Sequence, residues 1–322
     1  MLILSGDDLK KVLTMEACID AMEKAFAAVD RQEAQIPLRT GIDMEGGTAL
    51  FMPAYLPDLS RVSVKTVMVN GGNPDRGLPL IHAMVMIFDS DTGAAKALMD
   101  GEVITAMRTG AVSGLATKYL ARKDARVAAI IGTGTQGETQ LEAVCCARDI
   151  QQAHVFDLDP DRAQAFALKM GEKLGIDVSP APSPECLTQA DIICTATTSP
   201  VPVFDPKHIA PGTHINGVGA FKPEMAEIPP QCILNAKVVV DQMESCLAEA
   251  GDLIQPIEAG LMDKGHIHAE LGNLVTGRKP AREDDGEITV FKSVGIAVQD
   301  LVAANIALEA AQEKKLGHHI HL

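Results

Sequence analysis

The sequence predicts an α/β protein built on a doubly wound parallel sheet. Three observations carry this. Val127 to Ile131 form an unbroken apolar run, as strands buried on both faces do. The run ends in Gly132, Gly134 and Gly137, spaced G-x-G-x-x-G, and continues into a helical pattern with Leu141, Val144 and Cys145. A second apolar strand, Ala153 to Phe156, ends in Asp157, about 20 residues past the last glycine.

Each position has a physical task. Gly132 permits the tight turn, Gly134 lets the backbone approach a pyrophosphate, and Gly137 lets helix and strand pack closely. The helix N-terminus then offers free N–H groups to phosphate. A carboxylate at Asp157, with Asp159 as a second candidate, would accept the adenosine ribose hydroxyls and repel a 2′-phosphate. NAD is therefore favoured, with NADP still possible. A glycine motif alone arises in many loops; the order strand, turn, helix, strand, carboxylate is what makes this one specific.

From the N-terminus, Ser5 caps a short helix bearing Leu9, Val12 and Leu13, and a longer one carries Ile19, Met22, Phe26 and Val29. After Pro37 the texture turns to strand: Leu38 to Met44 and Thr48 to Met52 about Glu45-Gly46-Gly47, then Val62 to Val69. A Gly/Asn/Pro-rich loop, Asn70 to Pro79, precedes strands His82 to Phe88 and Ala94 to Met99. A helix rich in small residues spans Ile104 to Leu120. Beyond the glycine turn come a helix from Arg162 to Leu174 and strands at Asp191 to Thr195, Thr213 to Val218 and Lys237 to Asp241. An acidic, glycine-containing segment (Ser245 to Gly260), a helix (Ala269 to Thr276), a strand (Glu287 to Phe291) and a final helix (Ile296 to Glu313) complete the chain.

At 322 residues two domains are the natural expectation. A formal charge of −15 argues against a nucleic-acid partner, which needs basic surface. No apolar stretch is long enough for a membrane span, and no signal-peptide pattern opens the chain, so a cytoplasmic location is expected. The seven cysteines are odd in number and scattered, without C-x-x-C, so neither zinc nor a disulfide framework is indicated. His318, His319 and His321 read as a mobile tail rather than a metal site.

Three cations stand out. Lys65 interrupts an apolar strand. Pattern alone leaves it either a functional lysine on an inner face or a solvent-facing one in phase with Arg61 and Ser63. Arg39 and Arg108 suit bidentate recognition of a substrate carboxylate, although surface charge explains most single arginines. His82 is a proton donor or an edge histidine.

Several segments in order resemble the ornithine cyclodeaminase/μ-crystallin family: DGEVITAMRTGAVSGLATKYLAR from Asp100, the GTGTQG turn, HINGVG from His214 and VFKSVGIAVQD from Val290. GGNPDRGLP from Gly71 is similar to the family's archaeal-type alanine dehydrogenases. The resemblance implies a homodimer, with a Rossmann domain (121–296) inserted into an α+β substrate and dimerisation domain (1–120 with 297–322). It assigns Lys65 as the catalytic lysine and Arg39 and Arg108 to the substrate carboxylate. Asn216, Val218, Ser293, Val294 and Gly295 fall in segments that line the nicotinamide pocket. Thr109, Thr135, Gln136 and Thr195, with the three glycines and Asp157, complete the expected cofactor contacts.

One departure bears on activity. Cyclodeaminases and the archaeal alanine dehydrogenases carry an aspartate shortly after V-G; here Phe221 takes that place. The pattern is closer to the family's ketimine and cyclic-imine reductases. The expected activity is therefore NAD(P)-dependent reduction of a C=N bond at the α-carbon of a small carboxylate-bearing imino acid, with amino-acid dehydrogenation of the alanine type beside it. The alternatives are an ammonia-releasing ornithine cyclodeaminase and a non-catalytic, dinucleotide-dependent binding protein of the μ-crystallin kind.

Overall fold

The computed structural model describes residues 1–321. Contacts divide the chain into two compact units, Met1–Arg108 with the segment from Ile296 onward, and Thr109–Gly295.

The first unit opens with strand β1 (Leu2–Leu4) and helices α1 (Gly6–Val12) and α2 (Met15–Asp30). Ser5 closes a capping box: its hydroxyl accepts from Asp8 N–H at 3.2 Å, while its own N–H donates to Asp8 Oδ2 at 3.1 Å. An antiparallel meander follows, with β2 (Thr40–Met44), β3 (Gly47–Leu56), β4 (Arg61–Asn70), β5 (Ile81–Asp89) and β6 (Ala95–Asp100). Helix α3 (Gly101–Leu120) comes next, and the boundary between the units falls inside it.

The second unit is the doubly wound sheet. Its elements are β7 (Val127–Ile131), α4 (Thr135–Ala147), β8 (Gln152–Phe156), α5 (Pro160–Leu174), β9 (Asp177–Pro180), β10 (Ile192–Thr195), β11 (His214–Gly217), α6 (Pro230–Leu234) and β12 (Ala236–Val240). Then come α7 (Met243–Glu249), α8 (Gly251–Glu258), β13 (Ile267–Glu270), α9 (Leu271–Val275) and β14 (Ile288–Lys292). The strands pair in parallel in the order β13-β12-β14-β11-β10-β7-β8-β9. From β7 the chain winds outward through β8 and β9, then returns to place β10 on the other flank of β7. That reversal creates a crevice at the carboxyl ends of β7 and β10, where ligands of open α/β sheets bind. Apolar cores cover both faces, one around Ile131, Ile193 and Ile215, the other around Ile130, Val144 and Phe166.

Helix α10 (Ala297–Lys314) and strand β15 (His318–His319) belong to the first unit, whose sheet order is β15-β1-β6-β5-β4-β3-β2. α10 is buried nearly all round, as a helix in the middle of a fold must be. It packs across β3, β4 and β5, with α1 and α2 against it.

Some expectations change. The acidic segment Ser245 to Gly260 folds into α7 and α8. The helix expected from Ala269 begins only at Leu271, because Ile267–Glu270 adds a strand to the sheet. The histidine tail is tied down: His318 and His319 pair with Ile3 and Leu2, and Met1 and Ile320 exchange backbone bonds. No group of three metal-ligating side chains occurs among the described residues, and no described helix is long and apolar enough to cross a membrane.

Candidate active site

Alternation along β4 turns Ser63 and Lys65 inward, under α10. Lys65 is 2% exposed, which excludes the solvent-facing reading. Its Nζ donates to Asp300 Oδ1 at 2.9 Å and lies 2.8 Å from Oδ2. Arg108 shares that carboxylate, its Nε donating to Asp300 Oδ1 at 3.2 Å and its Nη1 to Gln299 Oε1 at 2.7 Å. Arg39 is half-buried, and its charge acts on Lys65. Two cations therefore share one carboxylate, with the charge of Arg39 acting on the same cluster, an excess of positive charge that suits an anionic ligand. Burial works against the Lys65 charge, Asp300 supports it, and Arg108 and Arg39 oppose it; the pKa falls from 10.5 to about 8. Asp300 and Gln299 were missed from the sequence. Their signal was two adjacent polar residues inside the apolar run of the last helix.

His82 is half-exposed, with Nδ1 3.8 Å from Glu102 Oε1, and takes no part in this cluster.

In the second unit the glycine turn has the geometry a dinucleotide needs. Gly132 has φ +97°, and a Cβ there would lie 2.5 Å from Ala196 O; at Gly137 one would lie 2.2 Å from Gly132 O. At Gly134 the nearest atom to such a Cβ is Arg162 Nη2 at 3.9 Å, so this side of the turn is open. No side chain caps α4, which leaves its first turn, with Thr135 and Gln136, available to phosphate. Gln136 Oε1 is buried with no hydrogen-bond partner among the described residues. The open side of the turn and the uncapped N-terminus of α4 fit a pyrophosphate cradle.

Asp157 stands beside the turn. Its Oδ2 accepts from Thr133 N–H at 2.9 Å and Thr133 Oγ1 at 2.7 Å, and its Oδ1 from Asp159 N–H at 3.1 Å. Burial opposes its charge, but these donors and Arg162 hold the carboxyl below its ordinary range.

Other expected cofactor residues have their side chains engaged within the unit. Asn216 is fully buried. Its Oδ1 faces His214 Nε2 at 3.2 Å, and its Nδ2 donates to Thr117 Oγ1 at 3.0 Å and Cys194 Sγ at 3.7 Å. Burial drives the His214 pKa down to about 3, so a neutral imidazole donates to that amide. The Asn216 side chain is thus turned into the protein. Thr195 Oγ1 donates to Glu227 Oε2 at 3.0 Å, and Ser293 Oγ to Asp241 Oδ2 at 2.6 Å. Val294 and Gly295 give their N–H groups to the same Asp241 oxygen, at 3.1 and 2.8 Å. Thr109 accepts from Gln140 Nε2 through its carbonyl at 3.1 Å, and Val218 N–H donates to Thr195 O at 3.0 Å. Phe221 is half-buried against the apolar core.

Known proteins match this chain along its length. The model of the ornithine cyclodeaminase/mu-crystallin family matches residues 1–315. A Delta(1)-pyrroline-2-carboxylate reductase of Bacillus cereus is 41% identical over 324 residues, covering 99% of each chain. The Thermococcus litoralis Delta(1)-pyrroline-2-carboxylate reductase, solved in complex with NADH and L-proline, is 45% identical with a TM-score of 0.96, covering 99% of this chain and 100% of that one. An archaeal alanine dehydrogenase dimer with bound NAD is 34% identical with a TM-score of 0.93, covering 100% and 99%.

Proposed function

Because the chain belongs to the ornithine cyclodeaminase/mu-crystallin family, we propose that it is an NAD-dependent reductase of small cyclic imino acids, of which Delta(1)-pyrroline-2-carboxylate is the leading candidate. It is an oxidoreductase acting at the α-carbon of an amino or imino acid. The observation that carries this reading is the buried Lys65, held by Asp300 and flanked by Arg108.

Arg108 and Arg39 hold the substrate carboxylate, where their charge outweighs Asp300. NADH, when bound along the glycine turn and Asp157, supplies the hydride to the α-carbon. Lys65 Nζ supplies the proton: an ammonium of pKa about 8 is charged at neutral pH yet acidic enough to give its proton to an imine nitrogen. In the opposite direction the neutral amine of Lys65 takes the proton from a secondary amine. Asp300 keeps the ammonium form populated and fixes Nζ; Gln299 orients Arg108. Phe221 offers no carboxylate to pair with or deprotonate a second amine, which weighs against the lyase reading.

The protein works as a homodimer. Ile42, Met44, Met68 and Met84, between 42 and 53% exposed, lie on the face of the sheet opposite α10. An apolar stripe of that kind marks an interface. The odd, scattered cysteines fit a cytoplasmic setting.

The test is NADH consumption with Delta(1)-pyrroline-2-carboxylate, with pyruvate plus ammonia, and, in parallel, ornithine with NAD⁺. Rapid NADH oxidation by the cyclic imine is the expected result. Ammonia released from ornithine without net NADH change would replace the reductase with the lyase.

A further inference from the structure

The mechanism leaves unused a wholly buried carboxylate, Glu227, in the connection between β11 and α6. Its Oε1 accepts from Thr197 N–H at 2.6 Å. Its Oε2 accepts from Thr195 Oγ1 at 3.0 Å, Gly219 N–H at 2.7 Å and Ala220 N–H at 3.1 Å. Every partner is a donor, so the group is bound as a carboxylate; a protonated oxygen would face a donor instead of an acceptor. The donors come from the last residue of β10 and the loop leaving it, and from the loop leaving the adjacent β11.

The closeness of these loops depends on glycine. A Cβ on Gly219 would lie 2.2 Å from Thr197 O and 2.4 Å from Glu227 Oε1. Glu227 is itself anchored from below: its N–H donates to Asp252 Oδ1 at 2.6 Å, and Asp252 Oδ2 pairs with Lys292 Nζ at 2.8 Å, both side chains fully buried. Lys292 ends β14, the strand on the other side of β11.

The loop that Glu227 holds is one wall of the crevice. Residues 196 and 197 follow β10, across the topological switch from the glycine turn on β7, and the missing Cβ of Gly132 is what lets Ala196 O sit against that turn. We propose that Glu227 is a positioning residue for the coenzyme, clamping the loops after β10 and β11 so that the crevice opposite the glycine turn keeps the width of a dinucleotide. The inference rests on the dinucleotide-binding reading of that turn.

The test is NADH binding followed by the coenzyme's own fluorescence, since the protein has no tryptophan, together with kcat and KM for each substrate. Glu227→Gln keeps the shape but turns an amide N–H₂ toward backbone donors. It should weaken NADH binding about tenfold or more, raise KM for NADH in step, and leave kcat at saturating NADH and KM for the imino acid within about twofold. Glu227→Asp, which keeps the charge but draws it back from its donors by one methylene, should give the same pattern in smaller measure, and keeps the question open to test if Glu227→Gln does not fold. Met170→Ala, a cavity in the second core of the same unit, should lower the melting temperature without moving the NADH affinity. The proposal is overturned if Glu227→Asp and Glu227→Gln bind NADH as the parent does, or if Met170→Ala loses affinity to the same extent. If the unaltered protein binds neither NADH nor NADPH, the dinucleotide reading falls first and takes this inference with it.

Discussion

Lys65 Nζ lies 2.8 Å from Asp300 Oδ2 and 2.9 Å from Oδ1, a contact that joins residues 235 positions apart in the chain. The pair is almost wholly buried, and in a buried pair the partner's identity sets the charge state. Because Lys65 titrates near 8 rather than 10.5, its proton chemistry becomes visible in the accessible pH range. Imine reduction needs the ammonium form, so kcat/KM for the imino acid should be flat below pH about 8 and fall above it. Oxidation of the cyclic amine needs the neutral form and should rise toward the same pH. Lys65→Met should lose turnover by orders of magnitude in both directions. The linkage has the opposite sign for stability. The unfolded state holds the Lys65 proton up to 10.5 and the folded state only to about 8, so this lysine destabilises the fold at neutral pH, and the penalty lifts as pH rises between those values. Lys65→Met leaves Asp300 paired with Arg108, so its melting temperature at neutral pH should match or exceed the parent's. Near-parental turnover in that variant would remove Lys65 from the mechanism.

Asp300→Asn separates positioning from chemistry. Asp300 supports the ammonium form of Lys65, while burial, Arg108 and Arg39 oppose it. Without the carboxylate the Lys65 pKa falls further, and the limb in the reduction profile moves to lower pH. Activity at pH 7 drops because less of the acid is protonated. Two buried cations lose the carboxylate they share, so a loss of about 3–5 kcal/mol in stability should accompany the shift. A profile whose limb stays in place would show that another group titrates there.

How far the sequence reached differs between the two units for a physical reason. The dinucleotide half announces itself locally: Gly132, Gly134 and Gly137 are required by backbone approach distances within one turn, and Asp157 follows at a fixed interval, where it meets Thr133. The half that carries the Lys65–Asp300 cluster is non-local. β4 and α10 meet only after the intervening unit has been crossed, and neither the strand alternation around Lys65 nor the helical run around Asp300 says that one covers the other. Asn216, Thr195 and Ser293 show the complementary limit. Residue type and segment were readable, but not the direction of each side chain, which here is into the protein, toward His214, Glu227 and Asp241. Even β13 escaped notice, since Ile267–Glu270 is four residues long and flows directly into a helix.

Asp157 makes a separate prediction about the coenzyme. Its carboxylate is held below the ordinary range by Thr133 and Arg162, so it stays charged throughout the working pH range and repels a 2′-phosphate. Asp157→Ser removes the charge and leaves Arg162 in place to attract a phosphate. The ratio of kcat/KM for NADH to that for NADPH should fall by about tenfold or more. An unchanged ratio would place coenzyme discrimination elsewhere.

The outer face of the first unit's sheet tests the assembly. Ile42, Ala49, Met68 and His82 follow one another across β2 to β5, and Met84 stands beside them opposite Thr66. Met68 and Met84 are 42% and 53% exposed, and each is flexible enough to pack against a second copy of the same surface. A two-fold interface presents every substitution twice, so Met68→Glu with Met84→Glu would put four carboxylates into one apolar contact. In sedimentation the parent should show twice the 34.1 kDa chain mass and the double variant a single chain. A variant that keeps the dimer mass would move the interface off this face, and a parent that sediments as a single chain would remove the dimer from the account. Loss of association should also leave the Lys65–Asp300 contact intact, because every residue of that cluster comes from one chain; coenzyme binding in the monomer would confirm that the fold has survived.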